Sequence, residues 1–158
     1  MLRFEVQNAT DSAVPEVSWL SECASRAYQG EREASAVLRI VNRDEAQQLN
    51  RDYRSKDYAT NILSFPTDYS GIPEGVLDED EQSYLGDIVV CADVVVEQAH
   101  DQHKQPDQHW AHLVIHGMLH LQGYDHVEEK EASEMEAIEI KLLEQLGVPD
   151  PYNETQAG

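Results

Sequence analysis

The chain has 158 residues, 41% of them hydrophobic, a formal charge of −20 and two cysteines. That size suits one domain with a real core and leaves no room for two; no apolar run approaches the roughly eighteen residues of a membrane span, and two distant cysteines without C-x-x-C spacing exclude a disulfide scaffold or a cysteine-rich metal centre. Residues 1–60 carry 8 basic against 10 acidic side chains and residues 61–158 only 3 against 21, which disfavours general attraction to nucleic acid, so any polyanionic substrate must meet a local cationic patch or a metal.

The first segment, "LRFEVQN" (2–8), alternates apolar and polar positions as a half-buried strand does. "PEVSWLSECASRAYQG" (15–30) reads as a helix with Pro15 at its opening and Gly30 just past its end. A second strand is expected at "ASAVLRIVN" (34–42), a short polar helix at "RDEAQQLNRDYR" (43–54), a third strand at "TNILSF" closed by Pro66, and a fourth at "LGDIVVC" (85–91). The acidic, Gly- and Pro-rich stretch 68–83 reads as a solvated loop. Three helices follow: "ADVVVEQAHDQH" (92–103), one over about 107–122 opening near Pro106 and Asp107, and "EKEASEMEAIEIKLLEQLG" (129–147) ending at Gly147. The fold class is therefore α/β (α+β): a small four-stranded mixed sheet packed with helices, in one domain over 1–150, with a flexible tail over 151–158. Periodicity does not give the strand order. Cys23 and Cys91 lie among apolar residues and read as reduced core thiols. The start of the chain lacks the basic, apolar, small-residue layout of a signal peptide, so a soluble, cytoplasmic protein is expected.

"HLVIHGMLHLQGYDH" (112–126) holds four of the seven histidines in fifteen residues. Trp110, Leu113, Val114, Met118 and Leu121 recur at three- and four-residue intervals, and Ile115 and Leu119 widen the apolar face, so this helix is largely buried and its histidine row faces something polar and enclosed. His116 and His120 stand one turn apart, roughly 6 Å along the axis at about 1.5 Å per residue, close enough to share an ion. Gly123 breaks the helix, in a left-handed cap, and brings His126 back to the same point. The pattern H-G-x-x-H-x-x-G-x-x-H has metzincin spacing, with Gly117 in place of the usual glutamate. Three imidazoles leave one tetrahedral position open, as in a catalytic rather than a structural zinc site. The missing glutamate argues against a peptidase, because that residue shuttles the proton to an amine leaving group, whereas a phosphodiester needs charge stabilised on phosphate oxygens. Asp125 reads as a turn residue or an orienter of His126, and His109 and His112 as packing or hydrogen-bonding residues.

"HGMLHLQGYDH" closely resembles the signature of the YbeY family, the bacterial metal-dependent endoribonucleases of ribosomal RNA maturation. "YRSKDYATNILSFP" (53–66) is similar to that family's other hallmark, "LGDIVVC" sits where its next strand belongs, and "DPY" stands near the end. The resemblance implies a YbeY-type fold, one zinc ion (nickel or another divalent ion being alternatives) on His116, His120 and His126, Arg54 as the catalytic or RNA-contacting cation, and a catalytic role for His116 as well as for Arg54. It further implies cleavage of single-stranded RNA, 3′-end processing of small-subunit ribosomal RNA, a part in ribosome quality control, and the small subunit with its basic ribosomal proteins as partners, with no membrane and no DNA. Without it, Arg54 reads as a solvated side chain near Asp52 and Asp57, and Arg39, Arg43, Arg51 and Lys56 as further members of the cationic patch or as solvated faces. Two rivals stand beside this reading: a metallohydrolase of another substrate class, peptidase or amidase, and a non-catalytic assembly factor with a structural metal.

Overall fold

The computed structural model describes residues 2–67, 84–124 and 128–152. Within them four strands, β1 (Leu2–Asn8), β2 (Ala34–Val41), β3 (Ile62–Pro66) and β4 (Tyr84–Cys91), form one sheet in the order β1-β2-β4-β3. β1, β2 and β4 run parallel, and β3 pairs antiparallel with β4 at one edge, so the sheet is mixed, as expected. Parallel neighbours need crossover connections, and helices α1 (Val17–Ala27) and α2 (Arg43–Arg54) lie in those intervals. Helices α3 (Ala92–Asp101), α4 (Pro106–Leu121) and α5 (Glu129–Gln145) complete the described elements. No helix among these residues is long and apolar enough to cross a membrane.

Period-two alternation sends the residues of β2 and β4 to two different cores. Ala36, Leu38, Ile40, Ile88 and Val90 face α1, α4 and α5, where Leu20, Trp110, Ile115, Met118, Leu119 and Leu143 are fully or almost fully buried. Val41, Val89 and Cys91, with Leu63 of β3, face the other way, onto Ala46 and Leu49 of α2. The histidine helix and α2 are therefore on opposite faces of the sheet. Cys23 and Cys91 are free and buried, which bears out their reading as core thiols.

Element boundaries differ from the sequence reading where local bonding intervenes. Pro15 precedes the α1 N-cap, Glu16, instead of occupying its first turn, and the helix ends on extended Tyr28, two residues before Gly30. β3 begins at Ile62, two residues later than expected, although Asn61 still bonds to β4, its carbonyl accepting from Cys91 N at 3.0 Å, while its Nδ2 donates to Gln98 Oε1 at 3.1 Å. β4 starts a residue early and is irregular opposite Ser35–Val37, where Gly86 adopts φ +138°. A Cβ on Gly86 would lie 2.3 Å from the Phe65 carbonyl oxygen, so the backbone of β3 can come that close only to glycine. The loop expected over 68–83 lies outside the described residues. Val148, just before the expected tail, is buried, and Tyr152, within it, bonds to His112 and Glu139; residues 153–158 lie outside the described residues.

Candidate functional site

Helix α4 opens on Pro106, whose missing N–H costs nothing in the first turn, with Asp107 beside the positive end of the dipole. It ends at Leu121, after which Gly123 takes φ +100° and Tyr124 N returns to Leu119 O at 3.1 Å. This turn is pinned to the end of α1, because Gln122 Nε2 donates to Ala27 O at 2.8 Å and Gln122 Oε1 accepts from Gln29 N at 2.8 Å. The left-handed break expected at Gly123 is thus present. His126 and Asp125, the residues that break should deliver, lie outside the described residues.

His116 and His120 come together as their spacing requires. Their Nε2 atoms are 3.0 Å apart and their ring centroids 4.5 Å. Two imidazoles on one tetrahedral ion, each about 2.0–2.1 Å from it, would hold their nitrogens roughly 3.3–3.4 Å apart, so the observed spacing needs only a small opening to fit zinc. Paired imidazole nitrogens suit zinc, nickel or copper better than magnesium or calcium, so the donors fit the ion that the spacing implied. Gly117 occupies the face between them and the sheet. A Cβ there would meet Ile88 at 3.0 Å and Ile62 at 3.1 Å, so the glycine lets α4 lie directly on β3 and β4, and a glutamate there would have to push both isoleucines aside.

Behind the pair stands Glu139 of α5, a residue the sequence reading did not single out. It is 0% exposed, in the core-facing row of Met135, Leu142 and Leu143. Its Oε1 accepts from His116 Nδ1 at 2.5 Å and its Oε2 from His112 Nε2 at 3.2 Å, and the Tyr152 hydroxyl also donates to Oε2. Burial pushes its pKa up, but the bonds from His112, His116 and Tyr152 outweigh burial and hold the carboxyl down at about 2. Burial and the donation to Glu139 push the Tyr152 phenol well above its ordinary range. The signal for Glu139 was present in the sequence: an acid in the apolar row of a helix whose other acids face solvent. His109 does hydrogen-bond, through Nε2 to Gln98 Oε1 at 3.0 Å, and burial, then Lys104 and His112, push its pKa down to about 4.

Arg54 lies elsewhere. It is the last residue of α2, on the far face of the sheet, exposed, and without a hydrogen bond or ion pair among the described residues. Ser55 follows in the left-handed region at φ 58°, and the chain then crosses the sheet edge to Ile62, which packs against Gly117. Most of the cationic patch considered around Arg54 is neutralised locally. Arg39 makes a two-pronged contact with Glu45 at 2.8 and 3.0 Å, Arg43 pairs with Glu97, and Arg51 stands 3.7 Å from Asp57. Arg54 and Lys56 remain as exposed cations without acidic partners among the described residues.

A family model described as Endoribonuclease YbeY matches residues 5–147. Among curated proteins, Endoribonuclease YbeY of Pseudomonas putida strain KT2440 is 48% identical over 153 residues, covering 96% of this chain and 94% of its own, and that of Stutzerimonas stutzeri is 48% identical over 155 residues, covering 98% and 93%. The solution structure of TM1509 from Thermotoga maritima superposes with a TM-score of 0.59 at 26% identity, over 97% of this chain and 99% of that one. Matches that run through both cores, both faces of the sheet and the histidine helix place the whole described fold in one lineage, and the chain belongs to the Endoribonuclease YbeY family.

Proposed function

We propose that this chain is a single-strand-specific, zinc-dependent endoribonuclease that acts in the cytoplasm on the 3′ end of small-subunit ribosomal RNA and in ribosome quality control, with the small subunit and its basic proteins as partners. The observation that carries the reading is the convergence of His116 and His120 Nε2 atoms at 3.0 Å in a chain whose curated relatives are named for endoribonuclease activity. His116 and His120, with His126, would hold the ion. When bound, a divalent ion supplies Lewis-acid stabilisation for charge on phosphate oxygens. Arg54, on the other face of the sheet, offers a planar, two-pronged contact to further phosphate oxygens of the same strand. Tyr53 and Tyr58, 68% and 53% exposed, flank Arg54 and Lys56, so phosphates and unstacked bases of one strand can meet cationic and aromatic groups side by side. A peptidase is disfavoured at position 117, where a glycine packed on Ile88 and Ile62 stands in place of a proton-shuttling carboxylate.

The test is to incubate zinc-loaded protein and a His116→Ala variant with single-stranded and duplex RNA of the same sequence. Cleavage of the single strand alone, abolished in the variant, is the expected result. Peptide cleavage without RNA cleavage, or RNA cleavage that survives the variant, overturns the reading.

A further inference from the structure

We infer that Glu139 is a positioning residue for His116, and that Tyr152 and His112 hold Glu139 in the orientation this task needs. The inference rests on the proposal that His116 ligates an ion.

An acid in the apolar row of α5, with no lysine or arginine beside it among the described residues, is a poor choice for stability alone, since a buried carboxylate loses its hydration and a leucine there would cost less. What Glu139 has instead are three hydrogen-bond donors divided between its two oxygens. Oε1 takes His116 Nδ1 at 2.5 Å; Oε2 takes His112 Nε2 at 3.2 Å and the Tyr152 hydroxyl. A proton on His116 Nδ1 leaves the lone pair on Nε2, the atom that faces His120 Nε2 at 3.0 Å. The carboxylate thereby selects the tautomer that can ligate and fixes the plane of the ring.

Holding Glu139 is a second requirement, because a carboxylate that rotates about its last torsion loses that selection. His112 Nδ1 is buried without a partner among the described residues, so its proton belongs on Nε2, facing Oε2. Tyr152 reaches the same oxygen next to His112, its hydroxyl 3.0 Å from His112 Nε2. Its ring packs edge-on to His112 with centroids 5.3 Å apart, and its own backbone N–H donates to Asp150 Oδ1 at 2.8 Å, which bends the chain so that the hydroxyl points inward. The "DPY" segment thus acts on the histidine site through Glu139.

The experiment has two readouts. Long-range 15N–1H NMR of the metal-free protein near pH 8 reports the ring tautomers directly, and competition with a chromophoric chelator reports the zinc Kd. Wild-type protein should show His116 protonated at Nδ1; Glu139→Gln should show a mixture of tautomers and bind zinc about 10- to 100-fold more weakly, the usual loss when a ligand histidine loses its carboxylate. Tyr152→Phe should weaken zinc binding by a smaller factor, about 3- to 10-fold, while His116 stays Nδ1-protonated. His116 protonated at Nε2 in the wild type overturns the inference without any variant, even if Glu139→Gln does not fold. Unchanged zinc affinity in a folded Glu139→Gln also overturns it. A wild-type protein that binds no zinc but shows the Nδ1 tautomer would instead remove the metal reading and leave the contact between Glu139 and His116 standing.

Discussion

The two faces of the sheet carry the two halves of the candidate site, and they are built to opposite rules. On one face His116 and His120 lie on a helix buried over most of its circumference, backed by a fully buried carboxylate. On the other, Arg54 ends an exposed polar helix and meets solvent. The first half is preorganised by the core, so disturbing it disturbs folding or metal binding. The second is free to meet a ligand, so disturbing it should leave the fold alone.

The sharpest way to break this contrast is Gly117→Glu. With Ile88 and Ile62 about 3 Å from the first added carbon, the variant must overpack the helix–sheet contact and bury a carboxylate, at a cost on the order of 4–6 kcal/mol. Loss of soluble, folded protein is expected by thermal melting and circular dichroism. A stable variant that cleaves peptides would show that this face tolerates what the packing forbids.

The next effect sets the halves directly against each other. Arg54→Ala should keep its zinc and its melting temperature yet lose about 10²- to 10³-fold in single-turnover RNA cleavage, some 3–4 kcal/mol. Arg54→Lys should recover only part of this, because an ammonium lacks the planar fork. His120→Ala should lose the metal itself, as elemental analysis would report. Wild-type cleavage by Arg54→Ala would reduce that arginine to a solvated side chain.

A smaller effect sharpens the buried side through pH. His109 is 4% exposed and its pKa is depressed to about 4. The stability carried by its neutral ring is therefore fully present above about pH 6.5 and lost as pH falls towards 4, up to about 2–3 kcal/mol. Urea melts at pH 7.5 and 4.5 should show a smaller pH penalty for His109→Gln than for the wild type; equal penalties would assign the acid loss to other groups. The smallest effect belongs to the exposed side. Asn42 caps α2 by accepting from Glu45 N at 3.0 Å, and Asn42→Ala should cost about 1 kcal/mol without moving zinc affinity.

The contrast also explains what could be read from the sequence. All nine described elements were visible in the sequence, most from an apolar row or alternation, α2 as a polar helix between strands and β4 as a short apolar run, and the convergence of His116 with His120 follows from helical spacing alone. The sheet order was not visible, since β4 enters between β2 and β3 through pairings between distant segments. The reason for Gly117 was hidden likewise, because the side chains that crowd it come from β3 and β4. Glu139 is one of six glutamates in α5; its place in the apolar row with Met135 and Leu142 set it apart in the sequence, but its partners His112, His116 and Tyr152 come from other segments and appear only in the folded chain. The cationic patch was overcounted for a related reason: the acids that neutralise Arg39 and Arg43 come from α2 and α3 and cannot be paired with them by proximity in sequence alone.

The antiparallel strand at the sheet's edge has a consequence for colloidal behaviour. Among the described residues β3 has one neighbour, so its outer side offers unpaired backbone groups to any passing strand, the usual template for aggregation. It spans five residues and ends on Pro66, which has no N–H to donate. The opposite edge, β1, carries Arg3 and Glu5 at its exposed positions. Both borders are thus poor seeds for sheet extension, and with a formal charge of −20 on every copy, crowded molecules repel before their edges can meet.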